Sequence, residues 1–362
     1  MRERKQQNKI TGKKKWGKIA LAVLLVTVIV SIGGTGMLFQ EELQIIASID
    51  KVQEQKGVYY MEVKSDYHFE EFLERGGASS DEEVSAFLTN CISKGFYQVD
   101  VEHDELACSV ISATDSEGGH LWGRNFDWTA SVPIIVKCMP KEGYASISTC
   151  EFGNITGNTE TAPDDFINKM LAVAAVYVPM DGVNEAGLCV ADLEVNEGGM
   201  EAIDTDKPDL TITTAIRLLL NRAATVEEAI ALLEQYDIHA SGGISHHLAI
   251  SDAEGNSVCI EFVDGEMVVV DTNSVTNFNL ANGNPAAGGE SAQARYETLC
   301  ALYEANGGVF TTEGIRDALS QVAQTQGQWH TQWSVVYAHD TKTVDYYFDG
   351  TFQEAVSYEV SR

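Results

Sequence analysis

The sequence predicts an α+β fold in which layered sheets are covered by helices. Three observations predict it: a β-prone hairpin starting at Cys108, a β meander over residues 247–271, and a closing hairpin over residues 333–348, with paired amphipathic helices between them. At 362 residues the chain exceeds the usual size of one domain, so segments appended to one large globular body are expected. Hydrophobic residues make up 44% and charged residues 22%, with 6 prolines against 31 glycines, which supplies a core and excludes a collagen-like or disordered chain.

The elements follow in order along the chain. Residues 1–18 hold eight basic side chains (Arg2, Arg4, Lys5, Lys9, Lys13, Lys14, Lys15, Lys18) and one acid, Glu3, and read as a basic cytoplasmic tail. Residues 19–39 carry no charge and, at about 1.5 Å per residue, are long enough to cross a hydrocarbon core of about 30 Å, so one transmembrane helix is expected. The basic cluster before it predicts a single-pass cell-membrane protein with its N-terminus cytoplasmic and the rest extracytoplasmic. Cleavage as a signal peptide, giving a secreted chain, is the alternative, because Ser31-Ile-Gly-Gly34 supplies small residues.

Residues 40–107 read as a small helical prosegment. Its last helix is opened by Ser80 with Glu83 three residues on, and presents Val84, Phe87, Leu88 and Cys91 on one face. The texture changes at Ala107. Cys108–Ala113 and His120–Arg124 are β-prone runs around the turn Thr114-Asp-Ser-Glu-Gly-Gly119, and strands at 247–251, 257–262 and 266–271 form the meander. Helices are predicted at about 208–223, 226–236 (with Thr225 as N-cap), 291–305 and 311–324. The main body is therefore residues 108–362.

The net charge of -30 would repel phosphate backbones, so no nucleic-acid partner is expected. Seven cysteines show no CxxC or other metal-like spacing, and no metal or cofactor is expected from them. His246 and His247 are adjacent strand residues that point to opposite faces and do not chelate jointly. Trp122, Trp128, Trp329 and Trp333 read as core that can also line an acyl pocket.

The stretch from Ala107 to Thr129, with a cysteine opening a strand, Arg124 sixteen residues on within Gly123-Arg-Asn-Phe-Asp-Trp128, and Asp127 three after that, resembles the start of the linear amide C-N hydrolases. These are the choloylglycine hydrolase and acid ceramidase family of N-terminal-nucleophile enzymes. Asp181-Gly-Val-Asn-Glu-Ala-Gly-Leu188, Val275-Thr-Asn277 and Thr331-Gln-Trp-Ser-Val-Val-Tyr337 are similar to that family as well, so the resemblance covers about residues 105–350.

The resemblance implies a four-layer αββα sandwich and a self-processing amidohydrolase without a cofactor. Cleavage between Ala107 and Cys108 would make Cys108 the new N-terminus, a thiol nucleophile whose base is its own α-amino group, of ordinary pKa about 7.7–8.0. Arg124 would lower the thiol pKa, Asp127 would hold the amine, Asn277 would donate to the oxyanion, and Arg295 in Gln293-Ala-Arg-Tyr296 would support the site.

In the bile-salt branch a second asparagine follows the Asn-Glu-x-Gly-Leu segment. This sequence has Asp192-Leu-Glu194 there and Asn196 two residues later. The second donor is then Asn196 or backbone amides, or Glu194 alters substrate choice; Glu194, Asn196 and Trp128 are the candidate substrate-binding residues.

An N-acyl amide is the implied substrate, with bile-salt, penicillin V, N-acyl amino acid and N-acyl lipid types all open. Acyl transfer on the same fold and a catalytically silent, membrane-tethered binding protein are the alternatives, and assembly into a homo-oligomer stays open. A papain-like protease is disfavoured, since no Cys-Gly-Ser-Cys-Trp-type segment is present.

Overall fold

Both faces of the hairpin Ala107–Thr114 and His120–Trp128 are buried, and this sets the order of the layers. A computed structural model of the chain describes residues 39–53, 55–95, 107–195, 200, 205–281 and 288–362. The chain divides into two units, Met1–Gln44 and Ile45–Arg362; what is described of the first is Phe39 and the start of the helix Gln40–Ser48. Everything below concerns the second unit.

A six-stranded antiparallel sheet runs in the order Ser274–Val275, Ala107–Thr114, His120–Trp128, His330–Ala338, Thr343–Phe348 and Val356–Glu359. A nine-stranded sheet runs Asp50–Lys51, Tyr59–Val63, Pro133–Cys138, Ser146–Glu151, Asp181–Asn184, Cys189–Glu194, His246–Ser251, Ser257–Val263 and Glu266–Asp271. All neighbours in it are antiparallel except Tyr59–Val63, which lies parallel to Pro133–Cys138.

The two sheets face each other across a core that includes Val110, Trp122, Phe126, Trp333 and Val335 from one side and Ile135, Ile147, Ala191, Leu193 and Ala249 from the other. Because strand residues alternate faces, Ile111, Ala113, Leu121 and Val336 point the other way. They pack with Leu299, Ile315 and Leu319 of the helices Gly289–Ala305 and Thr312–Val322. Gly123 allows that close approach, since a Cβ there would lie 2.5 Å from Ile315 Cγ2.

The outer face of the nine-stranded sheet is covered by the helix Ile212–Arg222 and the 3-10 turn Val173–Tyr177. Helix, sheet, sheet and helix thus follow one another, as the α+β expectation required.

One part of that expectation is corrected. No helix among the described residues is long and apolar enough to cross a membrane, and the expected transmembrane helix and single-pass placement are withdrawn. The tail and the expected span, residues 1–38, lie outside the described residues.

The segment read as a helical prosegment is mixed. Gln40–Ser48, Phe69–Glu74 and Asp81–Ser93 are helices, and Ser80 Oγ caps the last by accepting from Glu83 N–H while Glu83 Oε2 reaches back to Ser79 N–H. Tyr59–Val63, however, is a strand with alternating burial, built from aromatic and β-branched residues that favour a pleated, half-buried surface. Phe72 and Phe87 stand edge-on or tilted against Tyr177, which fastens the helices Phe69–Glu74 and Asp81–Ser93 to the outer layer of the nine-stranded sheet.

Candidate active site

Cys108 is the second residue of its strand and is fully buried, on the inner face beside Val110. Ala107 and Cys108 are consecutive strand residues, paired with Asp127 and Phe126 of the neighbouring strand. Arg124 is two residues from Phe126, so it points to the same inner face. Its Nη2 donates to Cys108 Sγ at 3.4 Å and to the Asp192 carbonyl at 2.9 Å.

The guanidinium has no exposure and is balanced by Asp181, whose Oδ2 accepts from Arg124 Nη1 and from Trp333 Nε1 at 2.9 Å. Its carbon also lies 5.0 Å from the Phe126 ring centre. A buried cation is thereby held against sulfur by one carboxylate, one carbonyl and an aromatic face.

Asp127 is an odd number of residues from Arg124 and takes the opposite, outer face. There its carboxylate accepts from Thr331 Oγ1 at 2.5 Å and from Gln324 Nε2 at 2.8 Å, and lies 3.9 Å from Arg295 Nη1. Burial raises its pKa, against the opposing pull of Arg295 and these hydrogen bonds.

Arg295 reaches the site because it sits on the buried stripe Ala292, Arg295, Leu299 of its helix. Its Nη1 donates to the Cys108 carbonyl and to Ser109 Oγ at 2.8 Å, and its Nη2 to Asn277 Oδ1 at 2.9 Å. Asn277 follows the short strand Ser274–Val275, whose pairing of Val275 with Val110 brings it alongside Cys108. The Cys108 N–H donates to Asn277 Oδ1 at 2.8 Å, and Asn277 Nδ2 donates to the Glu194 carbonyl at 2.9 Å.

The five residues singled out from sequence, Cys108, Arg124, Asp127, Asn277 and Arg295, therefore meet in one place, on two faces of one strand. Arg124 pulls the thiol pKa down as expected, whereas Asp127, expected to hold the Cys108 nitrogen, meets Thr331, Gln324 and Arg295 instead. The Cys108 thiol is pushed up to about 12, because burial outweighs the Arg124 charge that pulls it down. Asn277 directs its N–H at Glu194 rather than at a space beside sulfur.

Glu194 is buried at the end of its strand, and Trp128 lies in the core between the sheets, edge-on to Phe126. Asn196 lies outside the described residues.

Three further residues build the surroundings and were not singled out from sequence. Asp181 opens the quoted Asp-Gly-Val-Asn segment but gave no sign of pairing with Arg124. Asp192 Oδ1 meets His246 Nδ1 at 2.9 Å, and His246 Nε2 meets the Ser241 carbonyl at 2.8 Å. Burial works against the charged imidazole, yet the Asp192 carboxylate overrides it and His246 titrates above the ordinary histidine value.

Residues 108–280 match the family model described as linear amide C-N hydrolases, choloylglycine hydrolase family. A curated relative, penicillin V acylase of Pectobacterium atrosepticum, is 33% identical over 180 residues, which cover 45% of this chain and 46% of that protein. The chain thus spans about half the length of the curated relative it matches. Two solved structures of conjugated bile acid hydrolase variants from Clostridium perfringens are 17% and 18% identical, each with a TM-score of 0.52 over 70% of this chain and 92% of theirs. At that identity the likeness is one of fold.

Proposed function

We propose that the chain, which over residues 108–280 matches the linear amide C-N hydrolases of the choloylglycine hydrolase family, cuts its own Ala107–Cys108 bond and then hydrolyses an N-acyl amide through Cys108. One observation carries the reading: sulfur, nitrogen and carbonyl oxygen of this single residue each have their own partner, in Arg124, Asn277 and Arg295. A buried structural cysteine has no use for that arrangement.

In self-cleavage Cys108 Sγ attacks the Ala107 carbonyl carbon, the C–N bond breaks, and its nitrogen takes the thiol proton to become an α-amine. Water then hydrolyses the thioester, which releases Ala107 as a carboxylate and returns the thiol. In turnover the amine accepts the thiol proton, sulfur attacks the substrate carbonyl, and the departing amine carries that proton away. Water frees the acid from the resulting acyl-thioester.

Arg124 stabilises the thiolate in both stages, Asn277 and Arg295 hold the backbone of Cys108 still, and Asp127 fixes Arg295. Residues 40–107 are then the prosegment and residues 108–362 the mature chain. The substrate is an N-acyl amide with an apolar acyl group; the names of the relatives make penicillin V and conjugated bile acids the first compounds to assay, followed by N-acyl amino acids and lipids.

Intact mass and N-terminal sequencing of the wild type beside Cys108→Ala test the proposal. A wild-type chain beginning at Cys108, with the variant whole, is the expected result. If both stay whole and the thiol is inert to alkylation, the proposal is wrong.

A further inference from the structure

Away from Cys108, donor atoms of three side chains converge on one point. The pairing of Leu248 with Ile260 puts His247 beside Glu261 on adjacent strands, and Cys259 is two residues from Glu261 on the same face. Cys259 Sγ lies 3.3 Å from His247 Nδ1 and 3.8 Å from Glu261 Oε1, and Nδ1 lies 3.4 Å from Oε1. All three side chains are fully buried.

A hydrogen-bonded imidazole ordinarily spreads its partners over both nitrogens, and His246 next door does so, with Asp192 on Nδ1 and Ser241 on Nε2. His247 does the opposite. Thiol and carboxylate both crowd Nδ1, while the buried Nε2 has no hydrogen-bond partner. One Nδ1 proton serves only one of those two neighbours. The arrangement is therefore unlike a nucleophile–base–orienter relay, which needs its partners on opposite ring nitrogens.

We propose that His247, Cys259 and Glu261 form a binding site for a thiophilic divalent cation, zinc by its chemistry. Bonds of about 2.0–2.3 Å at tetrahedral angles place neighbouring donors about 3.3–3.7 Å apart, close to the three separations here. One nitrogen, one sulfur and one oxygen donor suit zinc and do not suit the all-oxygen preference of calcium or magnesium. Binding takes Cys259 as thiolate and releases its proton to solvent, and a fourth position is left for water.

The consequence is positional. Glu261 also accepts from the Leu280 and Ala281 N–H groups at 2.5 and 2.9 Å, just beyond Asn277. The ion would lock the meander to the segment that holds Cys108, and would take no part in bond cleavage.

The test uses the full chain, expressed with added zinc and exhaustively dialysed, with metal content by inductively coupled plasma mass spectrometry. The cobalt(II)-loaded protein is then examined for a near-ultraviolet thiolate-to-cobalt band. About one equivalent and a clear band are expected for the wild type. Cys259→Ser and Glu261→Gln should each weaken retention at least tenfold, while Cys150→Ser, which alters another buried thiol of the same sheet, should leave it unchanged.

No metal and no band in the folded wild type would overturn the proposal. So would a band that survives in Cys259→Ser but disappears in Cys108→Ala, since the ion would then sit at the catalytic thiol. The wild-type cobalt spectrum decides the matter even if a variant does not fold.

Discussion

Asp181→Ala isolates the electrostatic support of the proposed nucleophile. It removes the carboxylate that meets both Arg124 Nη1 and Trp333 Nε1 in a place without solvent. Stranding one partner of a buried ion pair costs about 3–5 kcal/mol, and an unsatisfied buried indole N–H adds about 1–3 kcal/mol. Part of the first figure is recovered through the Asp192 carbonyl, which already accepts from Arg124. The net expectation is about 4–6 kcal/mol, or a fall in the unfolding midpoint of about 6–9 °C for a body of this size.

The measurement is urea and thermal unfolding in a Cys108→Ala background, so that no cleavage blurs the comparison. A large loss alone fits any core deletion, and the decisive variant is the double substitution Arg124→Met with Asp181→Ala. Removing both charges leaves neither stranded, so the double variant should be at least about 2 kcal/mol more stable than Asp181→Ala. If instead the Arg124 and Asp181 effects simply add within about 0.5 kcal/mol, the two groups are not coupled and the reasoning fails.

Other outcomes follow from the same geometry. Arg295→Lys replaces a fork on the Cys108 carbonyl, Ser109 and Asn277 with a single point charge, and the loss of one charged hydrogen bond, about 1.5–3 kcal/mol, should slow self-cleavage at least tenfold; an unchanged half-time on gels would exclude that role. The cut prosegment should co-elute with the mature chain in native gel filtration and separate only in denaturant, because Tyr59–Val63 stays in register with Ile134–Cys138; separation in native buffer would refute this.

Burial lifts Glu151 to about 7 from an ordinary 4.5, so the folded state binds the extra proton; its stabilisation is complete below about pH 4.5 and is lost as pH rises to about 7, a change of about 3 kcal/mol. Glu151→Gln should therefore be about 3 kcal/mol more harmful at pH 5 than at pH 8, and an equal cost at both would contradict it.

Much of this was legible where one face of an element is polar. The meander, the closing hairpin and the four later helices follow from alternation and from caps such as Thr225, which accepts from Glu228 N–H. Ser146–Glu151 was not legible, because its polar residues are buried, two of them under the covering helix. Ser146 and Ser148 accept from Arg217 of the covering helix, so a buried strand reads as a loop. Tyr59–Val63 was lost among helices for a different reason: its partner Pro133–Cys138 lies more than seventy residues away, and no local signal marks that pairing.

At the site, residue types and spacing brought forward Cys108, Arg124, Asp127, Asn277 and Arg295, but period-two alternation held the further information that Arg124 and Asp127 occupy opposite faces. His247 was set aside with His246 for the same reason. Its neighbours come instead from the next strand, and cross-strand register is what sequence spacing hides.

The two-faced strand also explains why the uncut chain is a quiet enzyme on the proposed reading. Before cleavage the nitrogen of Cys108 is an amide N–H held by Asn277 and has no basic lone pair, while burial keeps the thiol neutral near 12. Arg124 alone does not overcome that burial. On that reading, cutting the bond to Ala107 would supply the missing base, since it would create an amine of ordinary pKa about 7.7–8.0 at the atom Asn277 already orients. Arg295, with Asp127 beside it on the far face, would keep the new terminus from fraying by donating to the Cys108 carbonyl. On the proposed reading, a fold that places a cation on each side of one strand would thus make activation a matter of breaking a single bond.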